Sequence, residues 1–224
     1  FSPTGRAGHR MFVTGAVGKD FFAFGRSSLS LFFEARNNNV QSYLFSGDLN
    51  GDGGTQNDLL YVPRNQSEMN FVTYTQSGRT FTAADQAAAW DAYISQDPYL
   101  SKRRGEFAER GGVLLPMLRR LDVSVSQELA KNLWNRRHSL QLRADVLNFG
   151  NLLNSNWGAG QRLVNNQPLL ITAGQQADTL GRAQYRLRAL PGPDGAPQLM
   201  SKSFETTTFL SDVYRFQVML RYSF

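Results

Sequence analysis

The densest group of oxygen-bearing side chains lies in one glycine-rich segment, GDLNGDGGTQND, which spans residues 47–58. The first, third and fifth positions of its ligand pattern carry Asp48, Asn50 and Asp52. Gly53 follows at the sixth position, where a glycine lets the chain turn tightly enough for three oxygens to converge on one cation. This spacing matches the first half of a calcium-binding loop. The twelfth position is Leu59 instead of the usual bidentate Glu, and Asp58 is the candidate substitute.

A second interpretation of this segment needs no metal. Asp, Asn and Gly also build turns in surface loops, because the Asx side chains hydrogen-bond to nearby backbone and glycine tolerates unusual φ values. The sequence leaves both interpretations open. If a metal binds, we expect Ca²⁺ as the only cofactor, with Asp48, Asn50, Asp52 and Asp58 as its ligands.

The rest of the chain offers little for catalysis. It contains no cysteine, which excludes thiol nucleophiles, cysteine–zinc clusters and disulfide bonds. Its two histidines, His9 and His138, are far apart in sequence and stand at the starts of predicted strands. Four loop carboxylates follow no catalytic spacing: Asp91, Asp97, Glu106 and Glu109. We therefore predict no catalytic residue and no enzymatic activity.

The length of the chain and its net charge narrow the range of possible folds and functions. The 224 residues can form one large domain or two small ones, and the net charge is +6. The basic residues are spread along the chain without a compact Lys/Arg block, so we expect no nucleic-acid partner. The sequence contains no run of about 18 apolar residues, so it predicts no transmembrane helix. The apolar fraction of 41% suits a soluble domain or an outer-membrane barrel, whose strands need only about ten residues of alternating hydrophobicity.

Segments of alternating hydrophobicity predict the long strands of the fold. The last is the clearest, because every second residue from Tyr214 to Phe224 is aromatic or aliphatic and most residues between are polar. Successive side chains of a strand point to opposite faces, so such a segment has one apolar and one polar face. The sequence predicts five strands, at about residues 9–18, 28–36, 119–130, 138–148 and 213–224.

The connections alternate between short and long. Residues 19–27 and 131–137 are short links, whereas residues 46–118 and 149–212 are long and mostly irregular. Outer-membrane barrels have short periplasmic turns and long extracellular loops. If Phe224 lies at the periplasmic end, both long stretches become extracellular loops and both short links become periplasmic turns.

A few regular elements are predicted inside the long stretches. Thr82–Ser95 reads as a helix, with Thr82 as its N-cap. Val40–Phe45 can extend the second strand, and short strands are possible at Arg162–Ala173 and Ala183–Leu190. Charged residues on the polar faces, such as Arg143 with Asp145, can line a pore, contact a plug or form cross-strand pairs.

Aromatic residues fall near both ends of the predicted strands. An inner girdle would contain Phe21, Phe22, Phe24, Trp134, Tyr222 and Phe224. An outer girdle would contain Tyr43, Phe45, Phe149, Trp157 and Tyr214. Aromatic girdles at both interfaces are typical of membrane barrels. The loop aromatics can either stack on a ligand or pin the loops together, and these are Tyr61, Tyr74, Trp90, Tyr93, Tyr99 and Trp157.

Several of these segments, taken together, resemble the end of a TonB-dependent outer-membrane receptor of the Oar-like group. The segments are SYLFSGDLNGDGGTQNDLLYVP, RRLDVSVSQEL, LQLRADVLNFGNLLN with the following NWG, and the terminal aromatic strand. The resemblance runs from about His9 to Phe224. It implies a plugged barrel of about 22 strands in the bacterial outer membrane, which imports a scarce ligand with energy from TonB.

The resemblance also implies which parts this chain supplies. Residues 1–224 correspond to the C-terminal part of the barrel domain, and the plug and TonB box of the family have no counterpart here. Five strands do not close a barrel, since known barrels start near eight. We therefore expect the remaining N-terminal strands and plug as partners, together with the TonB complex, the barrel-assembly machinery and outer-membrane lipid. Tyr222 and Phe224 resemble the terminal signal that the assembly machinery reads.

Two other readings of the sequence stay open. One is a smaller outer-membrane barrel with a binding or adhesion role, assembled from several copies of this chain. The other is a soluble β-sandwich binding module, because soluble sheets also alternate apolar and polar residues. The fold class predicted first is all-β, with a transmembrane antiparallel β-barrel of which this chain forms the last five strands.

Overall fold

The computed structural model describes residues 8–22, 25–37, 39–133, 138–171 and 177–224. The chain forms two compact units. The sheet unit comprises Gly8–Asn38, Pro116–Gln161 and Thr206–Phe224, and the loop unit contains Asn39–Leu115 and Arg162–Glu205. No helix in the described part of the chain combines the length and the hydropathy needed to cross a membrane.

The sheet unit is built on one antiparallel sheet. Its strands are β1, Arg10–Phe22; β2, Gly25–Asn37; β3, Met117–Leu133; β4, His138–Leu147; and β5, Arg215–Ser223. Each strand pairs with its neighbours in this order, so the sheet is an open meander. The predictions of an all-β fold and of five long strands are confirmed. Among the described strands, β1 and β5 form the two edges.

The register aligns side chains of one kind across the sheet. One row contains Leu31, Val123, Val146 and Phe216. The adjacent row contains Ser30, Ser124, Asp145 and Gln217. Alternate residues of a strand face opposite sides, so the sheet has one apolar face and one mainly polar face. The apolar face comprises Met11, Val13, Val17, Leu29, Leu31, Phe33, Leu121, Val123, Val125, Leu140, Leu142, Ala144, Val146, Phe216, Val218, Leu220 and Tyr222.

Two strands run further than the sequence predicted. β1 occupies the first part of the predicted link 19–27, and β3 occupies residues 131–133 of the second link. The backbone of Lys19 pairs with that of Ser27, beyond the last residue of clear alternation. Ladder hydrogen bonds join backbone groups, so a strand does not stop where its side chains become polar. Phe24 and Trp134 of the predicted inner girdle lie outside the described residues.

The loop unit is not the irregular stretch that the sequence predicted. Its short strands pair as Val40–Gln41 with Val113–Leu114, Tyr61–Val62 with Glu106–Phe107, Tyr74–Gln76 with Arg79–Phe81, Ala189–Pro191 with Pro197–Leu199, and Leu169–Leu170 with both Arg186–Leu187 and Phe45–Ser46. Strands of two or three residues produce no detectable alternation, which explains why most of them were not predicted. Leu169–Leu170 and Arg186–Leu187 lie within the two ranges where short strands were considered possible. The predicted extension of the second strand through Val40–Phe45 is wrong, because Val40–Gln41 pairs within the loop unit.

Other short elements complete the chain. The 3₁₀ turns are Gln66–Glu68, Leu100–Lys102 and Leu210–Asp212. The strands Gln161–Leu163 and Phe204–Thr206 lie where the chain passes from one unit to the other. Helix α2, Phe149–Leu153, is a short helix of the sheet unit that the sequence analysis missed.

Helix α1, Ala83–Gln96, lies in the loop unit at its predicted place. The N–H of Asp85 donates to Thr82 Oγ1 at 3.1 Å, and the N–H of Thr82 donates to Asp85 Oδ2 at 3.1 Å. This capping box satisfies two backbone donors that a helix N-terminus leaves unpaired. The helix ends just before Pro98, because proline cannot continue the backbone hydrogen-bond pattern.

The loop unit has a hydrophobic core of its own, in which Trp90 is 0% exposed. Tyr43 and Phe45 are also buried there, so the prediction that they belong to an outer aromatic girdle is wrong. Tyr43 Oη donates to Asp97 Oδ2 at 2.6 Å. Burial, with Tyr93 and Asp97 close by, raises the pKa of Tyr43, so the hydroxyl stays protonated and keeps this hydrogen bond.

Candidate functional site

The acidic loop of residues 47–58 folds around the carboxylate of Asp48. That carboxylate accepts the N–H groups of Gly51 at 2.7 Å, Asp52 at 3.1 Å and Gly53 at 2.9 Å. Gly51 and Gly53 have φ values of 77° and 84°, which glycine adopts at little cost. The glycines therefore turn successive N–H groups toward one acidic side chain.

The other predicted ligands belong to the same loop. Asp52 Oδ1 accepts the N–H of Gly54 at 2.7 Å, and its Oδ2 accepts the side-chain amides of Asn50 at 3.1 Å and Asn57 at 2.9 Å. The hydrogen bond from Gly54 is the largest cause that lowers the pKa of Asp52 below its usual range. Asp58 Oδ2 accepts the N–H of Leu49 at 2.7 Å.

These contacts bear on calcium binding. Every carboxylate in the loop accepts at least one hydrogen bond from the loop itself, as the turn interpretation requires. A carboxylate has about four acceptor sites, so these bonds leave lone pairs for a cation. Within the described residues, no three His, Cys, Asp or Glu side chains form a group arranged to hold a metal ion. Calcium binding by Asp48, Asn50, Asp52 and Asp58 stays a prediction.

The apolar face extends over all five strands of the sheet unit. Its side chains are exposed on strands across the whole sheet, with Val218 at 72% and Phe216 at 64%. Within the described residues, α2 and the segment up to Gln161 lie against the face near the start of β3, while its side chains on β1 and β5 stay exposed. Soluble monomers rarely expose apolar patches larger than a few hundred Å². The face is therefore suited to contact with an apolar partner.

The polar face carries ion pairs. Arg10 Nε lies 2.8 Å from Glu34 Oε1 on the adjacent strand, and Arg143 Nε lies 2.8 Å from Asp145 Oδ1 on the same strand. Arg36 adds a longer contact of 3.7 Å to Glu34. These pairs favour the interpretation that charges on this face satisfy one another over the interpretation that they wait for a ligand.

A buried network at the ends of the strands was not predicted. Its centre is Asp212, which is 5% exposed. The carboxylate accepts Thr207 Oγ1 at 2.6 Å and the N–H groups of Phe209 at 2.9 Å and Gly160 at 3.1 Å. Arg120 also donates to it, at 3.2 Å. Burial raises the pKa of Asp212, but these donors outweigh it and hold the pKa below its usual range.

Asn148 extends this network to the end of β4. It adopts a left-handed conformation with φ 54°, which ends the strand one residue before its predicted boundary. Its N–H donates to Asp122 Oδ1 at 2.7 Å, and its side-chain amide donates to the carbonyls of Gly158 and Asp212 at 3.2 Å. An Asn at the end of the predicted strand is the signal in the sequence for this turn, because Asn tolerates the left-handed conformation better than most residues.

The sheet unit also contains a cavity of about 540 Å³. Part of the apolar face near the start of β3 forms one wall, and α2 with the segment up to Gln161 forms the other. The cavity was not predicted, because its walls come from segments that are distant in sequence. A smaller cavity of about 380 Å³ lies against the polar face, beside Arg143 and Asp145.

The aromatic residues with predicted roles differ in their burial. Trp90 and Tyr93 are fully buried in the loop unit, which favours a role in holding that unit together over ligand stacking. Trp157 is exposed. Phe224 is 94% exposed, and Tyr222 stacks on His138 with ring centroids 5.7 Å apart. The role of Tyr222 and Phe224 as an assembly signal stays a prediction.

Comparison of the chain with protein-family models, with curated proteins and with solved structures found no match. The fold is thus defined by its own features: an open antiparallel meander with one exposed apolar face, and a separate loop unit with a buried core.

Proposed function

We propose that this chain is the C-terminal part of a TonB-dependent receptor in a bacterial outer membrane, with a role in uptake of a scarce ligand. The observation that carries the membrane part of the proposal is the exposed apolar face. Lipid-facing barrel strands alternate apolar side chains toward the bilayer with polar ones toward the interior. Side chains such as Val17 on β1 and Leu220 on β5 meet this requirement at both edges of the sheet.

The two sheet edges support a larger assembly. β1 and β5 each have one long side that pairs with no other described strand. Unpaired backbone groups are costly in a bilayer, where no water can satisfy them. In the proposed receptor, further strands pair with both edges and close the barrel.

The positions of the chain connections support the same proposal. The register places Asn37, Met117, Leu147 and Arg215 at one end of the sheet, and the hairpins lie at the other. All long connections therefore leave from one end, as extracellular loops of outer-membrane barrels do. The transport role and the coupling to TonB are supported by the resemblance of the sequence segments to TonB-dependent receptors.

The test uses native material from the cells that produce the chain. Outer and inner membranes would be separated, solubilised in a mild detergent and analysed by native mass spectrometry. We expect the chain in the outer-membrane fraction, within or bound to a larger polypeptide that supplies a plug and further strands. A complex of several identical chains would support the smaller-barrel alternative instead. A soluble monomer that needs no detergent would rule out both barrel assignments.

A further inference from the structure

The cavity of about 540 Å³ in the sheet unit has no role in the proposed transport or in the acidic loop. Its volume lies within the roughly 300–1,000 Å³ typical of small-molecule sites. Phe33, Met117 and Leu121 form its sheet wall. Phe149, Leu153 and Trp157 contribute apolar surface from the opposite side. Both walls can accommodate a hydrocarbon chain.

Two cationic side chains line the cavity, Arg119 and Arg120. Arg119 lies between Met117 and Leu121 on the same face of β3, and it is exposed. Among the described residues, its guanidinium has no ion pair and no hydrogen bond. The neighbouring Arg120 differs, because it contacts Asp212 at 3.2 Å and the carbonyl of Gly158 at 3.4 Å. The cavity therefore carries one arginine whose donors are unused.

The charge of Arg119 is not balanced locally. None of the described residues that line the cavity carries a carboxylate, and Asn156 and Gln161 supply only neutral polar groups. An unpaired guanidinium next to apolar walls favours a ligand with an anionic group and a long apolar part. The planar fork of arginine matches the oxygens of a phosphate.

We propose that this cavity binds an anionic phospholipid, with an acyl chain between β3 and α2 and the headgroup phosphate on Arg119. A free phosphate ion fits the site poorly, because it would lose hydration against Phe, Leu and Trp side chains that cannot hydrogen-bond to it. An amphiphile uses both the cation and the apolar walls. The inference rests on the proposed membrane location, since the bilayer is the source of the lipid.

The experiment measures which lipid lies next to Trp157. The full chain, purified with any strands that accompany it, would be placed in phosphatidylcholine nanodiscs containing increasing fractions of brominated-chain phosphatidylglycerol or brominated-chain phosphatidylcholine. Bromine quenches tryptophan fluorescence at short range. A Trp157→Phe variant gives the signal of the other tryptophans, which is subtracted. We expect half-maximal quenching at an about fivefold lower fraction of the anionic lipid, the scale of one basic side chain near an anionic surface.

Three variants separate charge from packing. Arg119→Gln should make the two midpoints equal, whereas Arg119→Lys should keep most of the preference. Arg221→Gln removes an exposed arginine from the polar face of β5 and should leave the preference unchanged. Equal midpoints for the unchanged protein, or a preference that survives Arg119→Gln, would overturn the inference.

Two further outcomes identify the failing step. If inorganic phosphate at about 1 mM abolishes the preference, the site belongs to a free anion, and the lipid assignment is wrong. If neither brominated lipid quenches Trp157, the sheet does not meet the bilayer, and the proposed membrane location fails together with this inference. Equal quenching by both lipids leaves the membrane location intact and removes only the lipid site.

Discussion

Similar apolar side chains are buried in one unit of this chain and exposed in the other. In the loop unit, Trp90, Ile94 and Leu100 are fully buried in a core that the unit builds for itself. In the sheet unit, Val218 and Phe216 lie on β5, which pairs with β4, and both side chains are largely exposed. Both units contain hydrogen-bonded strands, and they differ in what surrounds the apolar side chains.

Under the proposed membrane location, this difference corresponds to two environments for one chain. Apolar burial drives folding in water, and the loop unit follows that rule. A sheet that exposes apolar side chains on every strand gains little from them in water, but it is matched to a hydrocarbon environment. The proposed receptor has this division, with loops in water and strands in lipid.

The largest effect is expected from Trp90→Ala in the loop unit. Truncation of a buried Trp costs about 3–5 kcal/mol, because it removes apolar burial and leaves a cavity. Hydrogen exchange should accelerate in α1, while the amides of β2 and β3 keep their protection. The matched control is Trp157→Ala, which shortens an exposed Trp and should cost less than about 1 kcal/mol. Equal losses in both variants would remove the contrast between a buried core and an exposed face.

The second-largest effect is expected from substitutions at two neighbouring positions of β5. Val218 is on the apolar face and Gln217 is on the polar face. Val218→Arg should lower the free energy of unfolding from lipid vesicles by about 2–4 kcal/mol if it lies near the bilayer midplane, whereas Gln217→Arg should cost far less. Urea titration in lipid measures both. Two variants of equal stability would show that the apolar face does not meet hydrocarbon.

The third effect concerns the network at the strand ends. Asp212 has a lowered pKa in the folded protein, so its contribution is fully present above the unfolded pKa of about 3.9 and is lost as pH falls through the folded pKa. Asp212→Asn should cost about 2 kcal/mol at neutral pH, because it weakens the hydrogen bonds to a charged acceptor.

The pH profile distinguishes charge from shape at Asp212. The unchanged protein should lose more stability between about pH 5 and about pH 2 than the Asp212→Asn variant does. Asp194→Asn removes an exposed carboxylate of the loop unit and is the matched control. Parallel profiles for the protein and the Asp212→Asn variant would show that the carboxylate charge adds nothing.

The sequence predicted the sheet unit well and the loop unit poorly, for a physical reason. A strand of ten or more residues repeats its alternation many times, so Arg215–Ser223 could be recognised from its own side chains. A pair such as Tyr61–Val62 with Glu106–Phe107 is too short to repeat anything. Its partner is also distant in sequence, so only tertiary contacts define it.

The candidate sites also differ in how far their residues could be predicted from the sequence. The acidic loop could be found because Asp48 and its contacts lie within a few residues of one another. The Asp212 network and the cavity beside Arg119 could not, because Gly160, Arg120 and Asp212 meet only after β3, β4 and β5 have paired. α1 was found from its N-cap Thr82, which is a local signal. Local patterns were predictable, and sites assembled from distant segments were not.

The smallest effect is expected in the acidic loop, the most local part of the loop unit. Extracellular calcium sites bind with Kd values of about 10⁻⁴–10⁻³ M, so about 1 mM Ca²⁺ should stabilise the loop by no more than about 1.4 kcal/mol. Isothermal titration should show a calcium heat for the protein and none for an Asp48→Ala/Asp52→Ala double variant. Asp194→Asn again serves as the control for loss of charge. Because Asp48 already accepts three backbone N–H groups, a turn without metal remains intact in calcium-free buffer. Equal heats in the protein and the double variant would leave only the turn interpretation.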